Sequence, residues 1–170
     1  MTATRHQIQN PMWGFITRYI FWVLLLYVLV YFDAFSPLHV FNTLHTDISI
    51  YLTGLWIDAF DIPIEMSQAT LIYTHGMQLK ILDECNGVAG FLFFLAAIFA
   101  YPARKKVKIT WIVVGYFIVM IANAIRIDWI LYHTIYHPEN FTFIHEVVGR
   151  YTMALIPLIL FYLYTDKIEQ

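Results

Sequence analysis

The chain has 170 residues, 60% of them hydrophobic, 18% aromatic and only 13% charged; about a quarter of the residues in a water-soluble domain are charged, so a soluble globule is excluded and a single integral membrane domain over residues 1–170 is expected. A formal net charge of -2 supplies no global basic field, which excludes nucleic acid as a partner. The single cysteine excludes an intrachain disulfide framework.

The first predicted span runs over about 19–35, apolar from Tyr19 to Phe35 except for Asp33. Its length just covers the hydrocarbon core of a bilayer with help from its flanks. Arg5 and Arg18 precede it, so the positive-inside rule puts the N-terminus in the cytoplasm. Large aromatics follow where a signal peptide would carry a small-residue cleavage site, which marks the run as a retained span.

An outer region, 36–84, comes next. Leu38, Phe41, Leu44, Ile48, Leu52, Leu55 and Ala59 recur at helical spacing among Asn42, His45, Asp47, Thr53 and Asp58, the pattern of a helix that lies along the membrane or caps the bundle. The segment Ile48 to Trp56 is too short and too interrupted for a confident span, although partial insertion fits it. Pro63 then closes the helix. From Ala69 to Leu82 the residues alternate on both sides of His75-Gly76, which predicts a small β-hairpin leading to Cys85. Its edge suits strand addition by an extended peptide.

The second span is expected over about 87–101 and is followed by Arg104, Lys105, Lys106 and Lys108. This basic turn belongs on the cytoplasmic side. The third span, about 109–125, ends at Asn123 and Arg126; a polar outer loop is expected from Asp128 to Ile144; the fourth span, about 147–164, tolerates Pro157 within a bundle. The expected fold is therefore an all-α helical bundle with about four transmembrane helices, an outer amphipathic or partly inserted helix and a small outer hairpin. Both termini are then cytoplasmic, in a multi-pass protein of the cell membrane.

On this topology Cys85, Arg126 and His145 share the outer, extracytoplasmic border. Their chemistry is complementary. A thiolate is the nucleophilic form of cysteine, an imidazole can take the thiol proton, and a guanidinium can steady the anion or the oxygen on which charge grows during attack on a carbonyl. Taken singly, a cysteine at a helix start is usually a small apolar side chain, and an arginine near a helix end usually reaches for head groups. Three complementary groups at one depth favour a site, because ionisable side chains are costly there. Asp83, Glu84 and Glu146 are each placed to orient His145, and the residues do not choose among them. His75, His133 and His137 with Glu139 include one pair at i, i+4 ligand spacing, but with neither a helix expected there nor a clear third ligand, no metal or other cofactor is assigned.

Cys85-Asn86-Gly87 before a span, Asn123-x-x-Arg126 closing the next and His145-x-x-x-Gly149 opening the last resemble the three signature blocks of the exosortase/archaeosortase family. The resemblance covers Leu71 to Leu163. Asn86 departs from it, since serine is common there, and the chain resembles a compact member. The resemblance implies a membrane-embedded cysteine transpeptidase or protease, with Cys85 as nucleophile, His145 as proton shuttle and Arg126 as stabiliser of substrate or oxyanion. Gly87, Asn123 and Gly149 would serve packing or positioning. The partners it implies are exported proteins whose C-terminal sorting signal comprises a short motif, a transmembrane helix and a basic tail. The competing expectation is a non-enzymatic subunit of a surface-export or polysaccharide assembly system. A redox or metal carrier is the third.

Overall fold

The computed structural model describes residues 11–32, 38–67, 70–73, 78–80 and 85–169. Its elements are α1 (Pro11–Tyr31), α2 (His39–Ala59), β1 (Ile64–Ser67), β2 (Thr70–Tyr73), β3 (Gln78–Lys80), α3 (Val88–Ala100), α4 (Lys105–Tyr136), α5 (Phe141–Phe143) and α6 (Arg150–Glu169). A short 3-10 turn, Pro138–Asn140, precedes α5, and a π-helical segment, Ile144–Gly149, joins α5 to α6. The architecture is the expected helical bundle with a small sheet.

Among the described residues, three helical stretches are long and apolar enough to cross a membrane: Met12–Tyr31, Lys105–Tyr136 and Pro138–Ile168. The boundaries expected from sequence shift for identifiable reasons. Pro11 sits well at a helix start, where its missing N–H costs nothing, and Met12, Trp13, Phe15 and Ile16 extend the apolar run; α1 thus begins before Tyr19. Arg18 accordingly lies within the helix, and its Nε donates to the Gly14 carbonyl at 2.9 Å.

The second expected span is α3, only 13 residues long and so about 20 Å, shorter than the hydrocarbon core. It is the centre of the bundle. Val88, Phe91, Leu92, Phe94, Ala96, Ala97, Ile98 and Ala100 are all buried, against α1 through Leu26 and Val30 and against α4 and α6 through Val119, Met153, Leu160 and Tyr164. Two glycines allow the close approach. A Cβ on Gly115 of α4 would lie 2.1 Å from the Phe94 ring, and one on Gly90 would lie 3.2 Å from the Met153 carbonyl oxygen.

The expected loop from Asp128 to Ile144 is not a loop. α4 continues to Tyr136, because Ile127, Ile130 and Leu131 keep the helical period through the polar residues. Ile127 and Leu131 pack with Ile57 at the end of α2 and Ile64 of β1. The chain then turns through Pro138–Asn140 and is helical again from Phe141.

The helix expected over the outer region is α2, but the face it buries is the opposite of the one its apolar period suggests. Asn42, His45, Thr46, Ser49 and Thr53 are buried, together with Ile57. Val40, Leu44, Tyr51, Leu55 and Trp56 are exposed. Thr43, Asp47 and Asp58 are exposed beside those apolar groups, and the polar side chains turned inward are held there by hydrogen-bond partners.

The expected hairpin is present as β2 and β3, antiparallel with Thr70 opposite Lys80, Leu71 opposite Leu79 and Ile72 opposite Gln78. His75 and Gly76, its expected turn, lie outside the described residues. β1, which sequence reasoning did not anticipate, adds on the other side of β2 with Ile64 opposite Tyr73, giving the order β1-β2-β3.

Candidate active site

Cys85 stands two residues before Gly87, the N-cap of α3, and the turn between them is specified in detail. Gly87 adopts φ +84, in the left-handed region that glycine enters freely; a Cβ there would also come within 2.9 Å of Asn123. Asn86 is fully buried. Its amide nitrogen donates to Asn42 Oδ1 at 2.8 Å and to Thr46 Oγ1 at 2.9 Å. Its side-chain oxygen accepts from the Val88 N–H at 2.9 Å, and Ser49 Oγ donates to its carbonyl at 3.4 Å. The polar face of α2 therefore holds the residue next to Cys85, which accounts for the burial of that face.

Cys85, Arg126 and His145, singled out from sequence, converge. The Cys85 thiol, half-buried, lies 3.8 Å from His145 Nε2. Arg126 Nη1 donates to the Cys85 carbonyl oxygen at 3.4 Å and to Asn123 Oδ1 at 3.0 Å. Gly149 makes room for it, since a Cβ there would sit 3.0 Å from Arg126 Nε and 3.0 Å from Ile130. These positions come from α3, α4 and the π-helical segment, and the wide π turn is a deviation often found at functional sites.

The imidazole is held on three sides. Its Nδ1 is 3.1 Å from Glu146 Oε1, and the other Glu146 oxygen pairs with Arg150 Nη2 at 2.5 Å. Phe141, one turn earlier, stacks on the ring with centroids 5.4 Å apart and planes at 20°. An ionised carboxylate only accepts hydrogen bonds, so in the neutral imidazole Nδ1 bears the proton and Nε2 turns a lone pair toward sulfur. Of the three acids left open by sequence, Glu146 is in contact; Asp83 and Glu84 lie outside the described residues. Phe141 was not anticipated. Its signal is an aromatic four residues before the histidine, readable only once that stretch is known to be helical.

A cleft of about 280 Å³ contains all three groups and is floored by Ala89, Gly90 and Phe93 of α3 and Met153 and Ala154 of α6. The arrangement can therefore deprotonate a thiol, present it to a carbonyl and place a cation beside it.

The histidines weighed as metal ligands are otherwise engaged. His133 packs on Trp129, ring centroids 4.6 Å apart, and His137 Nδ1 pairs with Glu139 at 3.4 Å. His75 lies outside the described residues. Among those described, no three His, Cys, Asp or Glu side chains gather as a ligand set.

No curated protein and no solved structure matches this chain. A family model, described as Transmembrane exosortase (Exosortase_EpsH), matches residues 12–162. That stretch includes the convergent cysteine, arginine and histidine, the first two helical stretches long enough to cross a membrane and most of the third. The chain belongs to the transmembrane exosortase family and is a multi-pass membrane protein.

Proposed function

We propose that the protein is a cysteine peptidase or transpeptidase that cleaves the C-terminal sorting signal of exported proteins at the extracytoplasmic border of the cell membrane. The observation that carries this reading is the 3.8 Å approach of the Cys85 thiol to His145 Nε2, with Arg126 bonded to the same cysteine's backbone. His145 takes the thiol proton through Nε2 as sulfur forms a bond to the scissile carbonyl carbon. The new imidazolium is stabilised by Glu146 across Nδ1, in the manner of the third member of a triad. Charge developing on the carbonyl oxygen is met by the Arg126 guanidinium. The carbon–nitrogen bond then breaks, the imidazolium returns its proton to the leaving amine, and a thioester on Cys85 remains. Water, an amine or a hydroxyl next attacks that thioester, releasing the thiolate, which regains a proton as the incoming nucleophile loses one.

The positive-inside rule supports the orientation: the basic cluster Arg104 to Lys108 lies at the opposite end of α3 from Cys85, so a cytoplasmic cluster puts the thiol outside and both termini inside. A substrate with a short motif, a transmembrane helix and a basic tail then has its motif at the depth of the cleft. The whole chain acts as a single membrane domain and uses no cofactor.

The test is processing of a tailed substrate in cells that produce the Cys85→Ala, His145→Ala and Arg126→Ala variants. Each variant accumulates in the membrane to the level of the unaltered protein and leaves the substrate uncleaved. Normal processing by Cys85→Ala would overturn the proposal, and loss of all three proteins from the membrane would instead indicate a structural subunit.

A further inference from the structure

A cavity of about 460 Å³ lies between the end of α2, the entry to β1 and the last three turns of α4, and the thiol chemistry makes no use of it. Trp56, Phe60, Trp129, Tyr132 and Tyr136 line it, and all five are exposed to the surroundings of the bundle. In its wall is Asp128, whose two carboxylate oxygens are both buried and have no hydrogen-bond partner among the described residues. Asp61, also in the lining, carries a second acid on an exposed turn with φ 47, a left-handed conformation that aspartate tolerates better than most residues.

An unpartnered acid among apolar side chains is expensive, and a cation at that spot removes the cost. Aromatic faces add to the attraction, since the negative face of each ring draws an ammonium, and cages of such rings are the common receptor for alkylated ammonium groups. Tryptophan and tyrosine are also the residues that favour head-group depth. Below the cavity, Phe117, Ile121 and Ile125 form an exposed stripe along the same face of α4, at the i, i+4 spacing that aligns side chains on a helix. This stripe leads into Trp129. An acid behind a group of aromatic side chains, above an apolar track, matches a molecule with an ammonium head and hydrocarbon tails.

We propose that this cavity binds the ammonium head group of a phospholipid, with Asp128 as counter-ion, the aromatic rings around the cation and the acyl chains along Phe117, Ile121 and Ile125. The site is independent of the proposed cysteine chemistry. It would make occupancy of the protein sensitive to the head-group composition of the surrounding leaflet.

The experiment is native mass spectrometry of the full chain released from micelles containing equimolar phosphatidylethanolamine, phosphatidylcholine and phosphatidylglycerol with identical acyl chains. The two ammonium lipids are retained over phosphatidylglycerol by about tenfold, the scale expected of a desolvated cation–aromatic contact with a carboxylate behind it. Asp128→Asn, which keeps the shape and removes the charge, brings that ratio close to one, and Tyr132→Leu, at an exposed position, lowers it about threefold. Equal retention of the three lipids by the unaltered protein, or a preference unchanged in both variants, would overturn the proposal. In a further arm, glycerophosphoethanolamine, the head group without chains, displaces the lipid only at large excess; displacement at equal concentration would show a site for a soluble amine and overturn the lipid assignment.

Discussion

The two ends of the short central helix are built on opposite principles. At the end that bears Arg104 to Lys108, the packing is aromatic: Phe15 stacks on Phe161 with centroids 5.6 Å apart, and Tyr164 meets Tyr101 at 6.0 Å and Trp111 at 5.9 Å. At the end that bears Cys85, the buried groups are polar, with Asn42, Thr46, Ser49, Asn86 and Asn123 all at or below 7% exposure. Ring packing is tolerant of small adjustments and each contact adds modestly. A buried hydrogen-bonded cluster adds little net stability but is costly to disrupt, because each orphaned group has lost its solvent. One end is built for cohesion, the other to hold a single backbone geometry beside the thiol.

That contrast can be broken from the polar end first. Asn86→Ala removes three side-chain hydrogen bonds and strips the Val88 N–H and Asn42 Oδ1 of their bonds to it, while Thr46 Oγ1 keeps its bond to the Asn42 carbonyl; destabilisation of about 2–5 kcal/mol is expected, read as a lowered thermal midpoint of the purified protein. A smaller change is expected at mid-bundle. Gly115→Ala puts a methyl into the Phe94 ring, and displacement of that ring costs about 1–3 kcal/mol, with the Cys85–His145 pair left intact and substrate processing retained per folded molecule. The smallest effect is expected at the aromatic end, where the Tyr164 hydroxyl is buried without a hydrogen-bond partner among the described residues. Tyr164→Phe removes an unsatisfied group rather than a bond, so it shifts stability by less than about 1 kcal/mol, in the stabilising direction. A loss of several kcal/mol in Tyr164→Phe, or none in Asn86→Ala, would erase the distinction between the two ends.

Much of the candidate site was legible in the sequence because its ingredients stand at the borders of apolar runs: Cys85 before one, Arg126 late in the next, His145 before the last. Alternation of direction across a membrane brings such borders together without any knowledge of packing. Three features were not legible. The polar face of α2 is buried because Asn42, Thr46 and Ser49 bond to Asn86, and a helical period by itself does not say which face turns inward. The extension of α4 past Arg126 depends on Ile127 and Leu131 meeting Ile57 and Ile64, contacts supplied by segments more than sixty residues earlier. The contact of Glu146 with His145 lies in a local π-helical turn, which leaves no mark on hydrophobic spacing. β1 escaped notice for a related reason, since four residues are too few to show a period.

The central claim is that Cys85 is an outward-facing nucleophile served by His145 and Arg126. It is tested most directly by the rate at which a membrane-impermeant thiol reagent labels the protein in sealed cells, compared among the unaltered protein, His145→Ala and Arg126→Ala; the signal has one source, since the chain has a single cysteine. The account predicts labelling from outside in the unaltered protein and slower labelling in both variants, because the thiolate is the reacting form and each variant removes a group that favours it. A cysteine that is not labelled in sealed cells but is labelled once they are opened, or one labelled at the same rate in all three proteins, would contradict it.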